Sequence, residues 1–327
     1  MQTRPADVPR QTELSIRSKP EPSSSKVTLF AIVRDEMYFL PHFLRHYRAL
    51  GIGQFWFLDD RSVDGTTDYL MSQPDCGVIH ANRTFGEIVN GRPFGTTVKN
   101  IVPRQMLMDR WVLTADADEF IVLPPGYDTI TQVAQALEDN GLKVARALMM
   151  DFFPDTLRSL QGASRDLDPF TLCPNFDPWK VLEWPDGAAN VTSISLKDGV
   201  RPRILMRLME LGADLGEGMA DYRFANVNKS PLVHWHGDVM APTAHRVSID
   251  PSDRIQLVLA HFKFYPGHEA RNRVAVEEGA HWKNAVEYRI LHAAEKHLLD
   301  WPLKGPRSLR FTSPQDVAQT GLLYSRL

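Results

Sequence analysis

The chain has 327 residues, room for one large or two modest domains, and its 43% hydrophobic and 24% charged composition excludes a largely disordered, collagenous or fibrous protein. Its 37 basic and 40 acidic residues give a formal charge of -3 with no long basic run, which argues against nucleic acid as a partner. Two cysteines, Cys76 and Cys173, have no CxxC or Cys/His spacing, which argues against a zinc knuckle, a disulfide framework or an iron–sulfur cluster.

Residues 1–25 are polar, carry Pro20, Pro22 and a Ser23–Ser25 run, lack an apolar leader core, and are expected to form a mobile tail. No later stretch approaches the ~18 apolar residues of a membrane span, so a cytoplasmic protein is expected. Val27–Val33 is an almost unbroken apolar run and predicts a strand buried on both faces. Phe39, Leu40, Phe43, Leu44, Tyr47 and Leu50 then recur at helical spacing, with Pro41 in the first turn and Gly51 as a stop. A strand over Gln54–Leu58 ends in Asp59-Asp60, and Arg61–Thr67 then offers several N-cap residues before Tyr69, Leu70 and Met71. A strand around Val78-Ile79, a loop over 82–96 and a helix within 98–108 lead into one predicted strand over Trp111–Leu123. A helix over 129–139 and a strand over 142–150 follow. This alternation predicts an α/β fold with a mostly parallel sheet, whose ligands bind beyond the carboxyl ends of the strands. The expected organisation is a nucleotide-binding half over 26–150, a loop-rich acceptor-side half over 151–300 and an extension over 301–327.

Asp116-Ala117-Asp118-Glu119 is the most informative segment. In a continuous strand, Asp116 and Asp118 share a face while Glu119 turns away. Two adjacent carboxylates among apolar residues need a positive partner, and oxygen-only donors favour Mg²⁺ or Mn²⁺. Asp59 ends a neighbouring strand and is expected at the same sheet edge, where a carboxylate accepts hydrogen bonds from a base or a ribose.

The ordered set Ala31-Ile-Val-Arg-Asp-Glu36, Asp59-Asp-Arg-Ser-Val-Asp-Gly-Thr66 and Trp111-Val-Leu-Thr-Ala-Asp-Ala-Asp-Glu-Phe120 resembles the family 2 nucleotide-sugar glycosyltransferases, especially the branch related to family 92. The resemblance covers residues 27–123. It implies a GT-A fold, a UDP- or GDP-type donor and a divalent cation. It also implies that Asp59 contacts the base, Asp116 the ribose or metal, and Asp118 the metal and diphosphate, with Lys99 or Asn100 near the nucleotide. The segment from His261-Phe-Lys263 onward resembles the end of the same family. His261 is therefore expected as a further metal ligand and Lys263 as a contact of the diphosphate.

Transfer with inversion needs a base for the acceptor hydroxyl, a glycan or a small hydroxylated molecule. Asp151, Asp155, Glu210, Asp214, Glu217 and Asp238 are candidates, Asp151 the first of them, and Phe152, Phe153, Phe176, Trp179 and Trp184 offer rings for an acceptor sugar or for the core. The alternatives are a sugar-phosphate nucleotidyltransferase, which expects a Gly-rich basic loop where Arg34–Tyr38 stands, and a non-catalytic nucleotide- or glycan-binding protein of the same fold.

Overall fold

The computed structural model describes residues 14–89, 91–178, 181–185, 192–196, 199–216, 225–243, 245–278 and 282–327. Glu217 and Trp179 lie outside them. The chain divides into two compact units, one of Met1–Ala147, Lys229–Leu257 and Tyr324–Leu327, the other of Leu148–Asn228 and Val258–Leu323.

The first unit opens with β1 (Leu14–Ser18), β2 (Val27–Val33), α1 (Leu40–Ala49), β3 (Phe55–Asp59), α2 (Thr66–Met71) and β4 (Cys76–Ala81). Next come a hairpin of β5 (Ile88–Val89) and β6 (Arg92–Pro93), then α3 (Phe94–Met106), β7 (Arg110–Thr114), β8 (Glu119–Val122) and α4 (Ile130–Asp139). The sheet runs β1-β4-β3-β2-β7, followed by the strand Asn228–Trp235. Its core pairs, β4–β3, β3–β2 and β2–β7, are parallel, whereas β1 and Asn228–Trp235 are antiparallel flanks. This is the α/β architecture, parallel at its centre and flanked by helices, that the alternation predicts. The first strand of the parallel set lies between the second and the fourth, so strand order reverses beside β2, the place at which open α/β sheets bind their ligands beyond the carboxyl ends of the strands.

Burial explains the strands. β3 is buried along its whole length and β2 at all but one position, as the absence of alternation requires. α1 packs Leu40, Phe43, Leu44 and Tyr47 inward, and Thr129 with Gln132 closes a capping box at the start of α4.

Three expectations need correction. Residues 14–18 are not tail: β1 pairs with β4, its polar Ser15 and Arg17 suiting an exposed edge. The loop over 82–96 contains the β5–β6 hairpin, and α3 starts at Phe94, where the Phe85 ring lies so close over Gly95 that a Cβ there would sit 2.1 Å from it. The strand predicted over 111–123 is two strands separated by a turn at Asp116–Glu119, closed by Glu119 N–H donating to the Asp116 carbonyl at 2.9 Å.

The second unit centres on aromatic packing. Phe152 stacks on Phe176 with ring centres 5.6 Å apart and meets Phe170, Phe262 and Phe311 edge-on or tilted at 5.3–5.5 Å. Phe152, Phe153 and Phe176 are fully buried, so of the two uses open to them they take the core. Helices Val200–Glu210, His268–Glu278 and Trp282–His297 belong to this unit, as do the antiparallel strands Val181–Pro185 and Thr192–Leu196.

Candidate functional site

The carboxyl ends of β2 and β3 are stitched together by their loops. Asp35 and Arg61 both take left-handed backbone, φ 55° and 64°, a conformation that costs a non-glycine residue energy and persists only when neighbours enforce it. Here the enforcement is reciprocal: Asp35 N–H donates to Ser62 Oγ at 2.9 Å, and Val63 N–H donates to Asp35 Oδ1 at 2.7 Å. Met37 N–H donates to Asp64 Oδ2 and Glu36 N–H to Thr66 Oγ1, each at 3.0 Å. The Arg34–Tyr38 segment is thus a backbone clasp.

Asp59, at the end of β3, is buried and accepts from Ser62 N–H at 3.3 Å and Thr67 Oγ at 2.8 Å. His80 Nε2 stands 3.3 Å from the same carboxylate, close enough for an ion pair but without hydrogen-bond alignment. Asp60 accepts the Phe85 N–H at 3.0 Å, which ties the 82–95 loop to the end of β3; burial, ahead of its neighbours, moves its pKa up.

Lysines dominate the edge beyond β7. Lys99 Nζ on α3 reaches Asp116 Oδ1 at 3.3 Å, and Lys229 Nζ reaches Asp116 Oδ2 at 3.0 Å while also donating to Glu119 Oε1. Glu119 in turn accepts the Asp116 N–H at 3.1 Å. Its carbonyl takes the Tyr47 hydroxyl at 2.9 Å, and that hydroxyl accepts from Ile121 N–H. Asp116 and Asp118 are therefore not side by side on one strand face, and Glu119 does not turn away. Burial works to raise the Asp116 pKa, but Lys229 and Lys99 hold the carboxyl well below its ordinary range. Burial likewise works to lower Lys229, yet Asp116 and Glu119 keep its ammonium above the usual lysine value. The Asp116 side chain remains 42% exposed, whereas both lysine side chains are only 7% exposed. A recess of about 20 Å³, room for a single water, is lined by Lys99, Thr114, Asp116, Lys229, Ser230 and Pro231.

Lys229 was not among the expected residues. Its place follows from register: Leu232 pairs with Leu113 and Val233 with Val112, and three further steps set Lys229 opposite Asp116. At the other end of the same strand His234 packs edge-on against Trp111, ring centres 5.4 Å apart.

In the second unit Asp151 accepts from Arg201 Nε at 2.6 Å through Oδ2, and its Oδ1 meets His261 Nδ1 at 2.7 Å. Arg201 also donates to Glu287 Oε1 at 2.8 Å. Burial opposes the ionised form of Asp151, and Arg201, then His261, hold it below the ordinary carboxylate range. Burial also opposes ionisation of Glu287, which Arg201, Lys263 and His261 hold low. Hence Lys263 acts electrostatically on Glu287. Among the described residues, the buried donors suited to a cation include Asp118 and Glu119 in the first unit and His261 in the second.

No family model matches the chain, and none of the curated proteins does. Among solved structures it is similar to S. aureus TarS, at 12% identity and TM-score 0.31, over 81% of this chain and 42% of that one. It therefore spans less than half of the TarS chain. UDP-glucose pyrophosphorylase complexed with UDP-glucose is 8% identical with TM-score 0.26, over 53% of this chain and 67% of that one. The apo form of a UDP-glucose pyrophosphorylase is 8% identical with TM-score 0.26, over 83% and 87%. Among the described residues no helix is long and apolar enough to cross a membrane.

Proposed function

We propose that this chain is a metal-dependent glycosyltransferase that moves a sugar from a UDP- or GDP-type nucleotide sugar to a hydroxyl of a glycan or small acceptor, with inversion. The carrying observation is the pair of buried ammoniums, Lys99 and Lys229, set against acids at the carboxyl edge of a parallel sheet. Lys99 and Lys229 face Asp116 and Glu119, and with Asp118 buried in the same turn two positive charges stand against three negative ones. A diphosphate meets net repulsion there unless a divalent cation accompanies it. With Asp116 engaged by both lysines, the cation falls to Asp118, whose hard oxygens suit Mn²⁺ or Mg²⁺. The cation supplies stabilisation of the charge that grows on the departing diphosphate. Lys99 and Lys229 would exchange Asp116 for phosphate oxygens, and Asp59 would accept a hydrogen bond from the base.

Thermal shift with UDP-, GDP- and other nucleotide sugars, with and without Mn²⁺, tests this reading. Binding at a hundredfold excess over Kd should stabilise the protein by about 2.7 kcal/mol. Asp118→Asn should abolish the Mn²⁺-dependent part while leaving the fold intact. Wild-type turnover in Asp118→Asn would overturn the metal assignment. Pyrophosphate release from a nucleoside triphosphate and a sugar 1-phosphate would point instead to a nucleotidyltransferase.

A further inference from the structure

Asp116 was expected at the ribose or the metal, and its surroundings give it another task. Both carboxylate oxygens are taken by ammoniums of the first unit, Oδ1 by Lys99 Nζ at 3.3 Å and Oδ2 by Lys229 Nζ at 3.0 Å. The side chains differ in exposure, 42% for Asp116 against 7% for each lysine. The acid can therefore turn out into water and regain its hydration, whereas the ammoniums cannot follow it. Lys229 keeps Glu119 when Asp116 leaves, but among the described residues Asp116 is the one acid that Lys99 pairs with. A departing Asp116 thus leaves a buried positive charge in need of another anion. The recess beside these groups, which Thr114 and Ser230 also line, has about 20 Å³, room for one water and too little for a phosphate group. An oxyanion cannot be added next to Asp116 and has to take its place.

We infer that Asp116 is an internal competitor of the donor's diphosphate: its carboxylate holds Lys99 and Lys229 where phosphate oxygens bind, and the donor binds by expelling it. This rests on the glycosyltransferase reading above and adds to it a built-in inhibitory contact that sets donor affinity. The turned-out carboxylate keeps its charge beside the site, so it competes again whenever the anion lets go. A residue that recognises the ribose or the cation and a residue that competes with the diphosphate differ in sign. Removing the first weakens binding, and removing the second tightens it.

The test measures pyrophosphate binding to the full chain by calorimetry in excess EDTA, so that no cation takes part. Asp116→Asn should bind about 10- to 100-fold more tightly than wild type, the net worth of a charge-assisted hydrogen bond that no longer has to be broken. Glu119→Gln removes an equal charge while Asp116 keeps both lysines, and should gain clearly less. Lys99→Met added to Asp116→Asn should undo the gain. An equal gain in Glu119→Gln reduces the effect to net charge and overturns the competitor role, as does a gain that survives Lys99→Met. A crystal structure of the wild type with a nucleoside diphosphate and Mn²⁺ gives a readout that depends on no variant folding. Phosphate oxygens should stand within hydrogen-bond distance of both Nζ atoms, with Asp116 on neither; Asp116 still on either lysine beside bound nucleotide overturns the inference. Failure of the wild type to bind any nucleotide sugar, with or without Mn²⁺, overturns the glycosyltransferase reading and this inference with it. Wild-type donor binding with no gain in Asp116→Asn overturns this inference alone.

Discussion

Both units bury carboxylates against cations, but with different residues. In the first, Asp116 and Glu119 face the ammoniums of Lys99 and Lys229; in the second, Asp151 and Glu287 share the guanidinium of Arg201. An ammonium is a compact charge on a flexible stem and can trade one oxygen for another, whereas a guanidinium fork holds its partners in fixed directions. The first cluster also keeps one carboxylate partly open, and all the groups of the second are more enclosed. One arrangement suits exchange of an internal anion for an external one. The other suits holding a side chain in place.

Substitutions that remove one cation at a time sharpen this contrast. Arg201→Met strips two acids of their shared partner and should cost about 3–5 kcal/mol in urea unfolding, the usual penalty for leaving buried charge uncompensated. An effect below about 1 kcal/mol would mean that the second cluster is no more rigid than a surface pair. Lys229→Met should cost about 3 kcal/mol, because Glu119 is left buried without its ammonium while Asp116 retains Lys99. Lys99→Met should cost under about 1 kcal/mol, since Asp116 is partly exposed and keeps Lys229. In donor-binding assays that order should change: both lysine variants should weaken nucleotide-sugar affinity more than Arg201→Met does.

The smallest effect lies in pH dependence. Asp116, Asp151 and Glu287 all have folded pKa values below their ordinary ones, so near pH 4 the unfolded chain binds more protons than the folded one. Their contribution is complete above the ordinary carboxylate range, around pH 4 to 5, and is lost as pH falls through the lower folded values. Urea midpoints should decline between about pH 5 and 3, with a shallower decline in Arg201→Met. Equal slopes in variant and wild type would show that the second cluster contributes nothing to acid sensitivity.

The parts of the fold legible in the sequence are those whose cause is local. β2, α1, β3 and α4 are set by burial on two faces, helical spacing and a capping box, and each stands within a few residues of its expected place. β1 was not legible, because an exposed edge strand made of Leu-Ser-Ile-Arg-Ser has no apolar pattern. The acidic turn was misread since its apolar flanks outweighed the preference of Asp for turns. Asp59 and Lys99 were expected near the nucleotide on resemblance; the structure sets Asp59 within its own loop and Lys99 against Asp116. Lys229 was out of reach because its position depends on the pairing of strands more than a hundred residues apart. The Asp151–His261 contact escaped for the same reason: neither residue carries a local sign of the other.

The antiparallel strand that carries Lys229 also imposes an order of assembly. A ribosome delivers β2, β3, β4 and β7 with their acidic turn well before it delivers residues 228–235. Until then Glu119 has no ammonium, and the nascent sheet holds an acid facing an unpaired strand edge. Closure of that edge is a long-range contact and so a slow one. Chains halted before residue 229 should therefore expose the edge of β7 to chaperones or to one another, and those released after residue 235 should not.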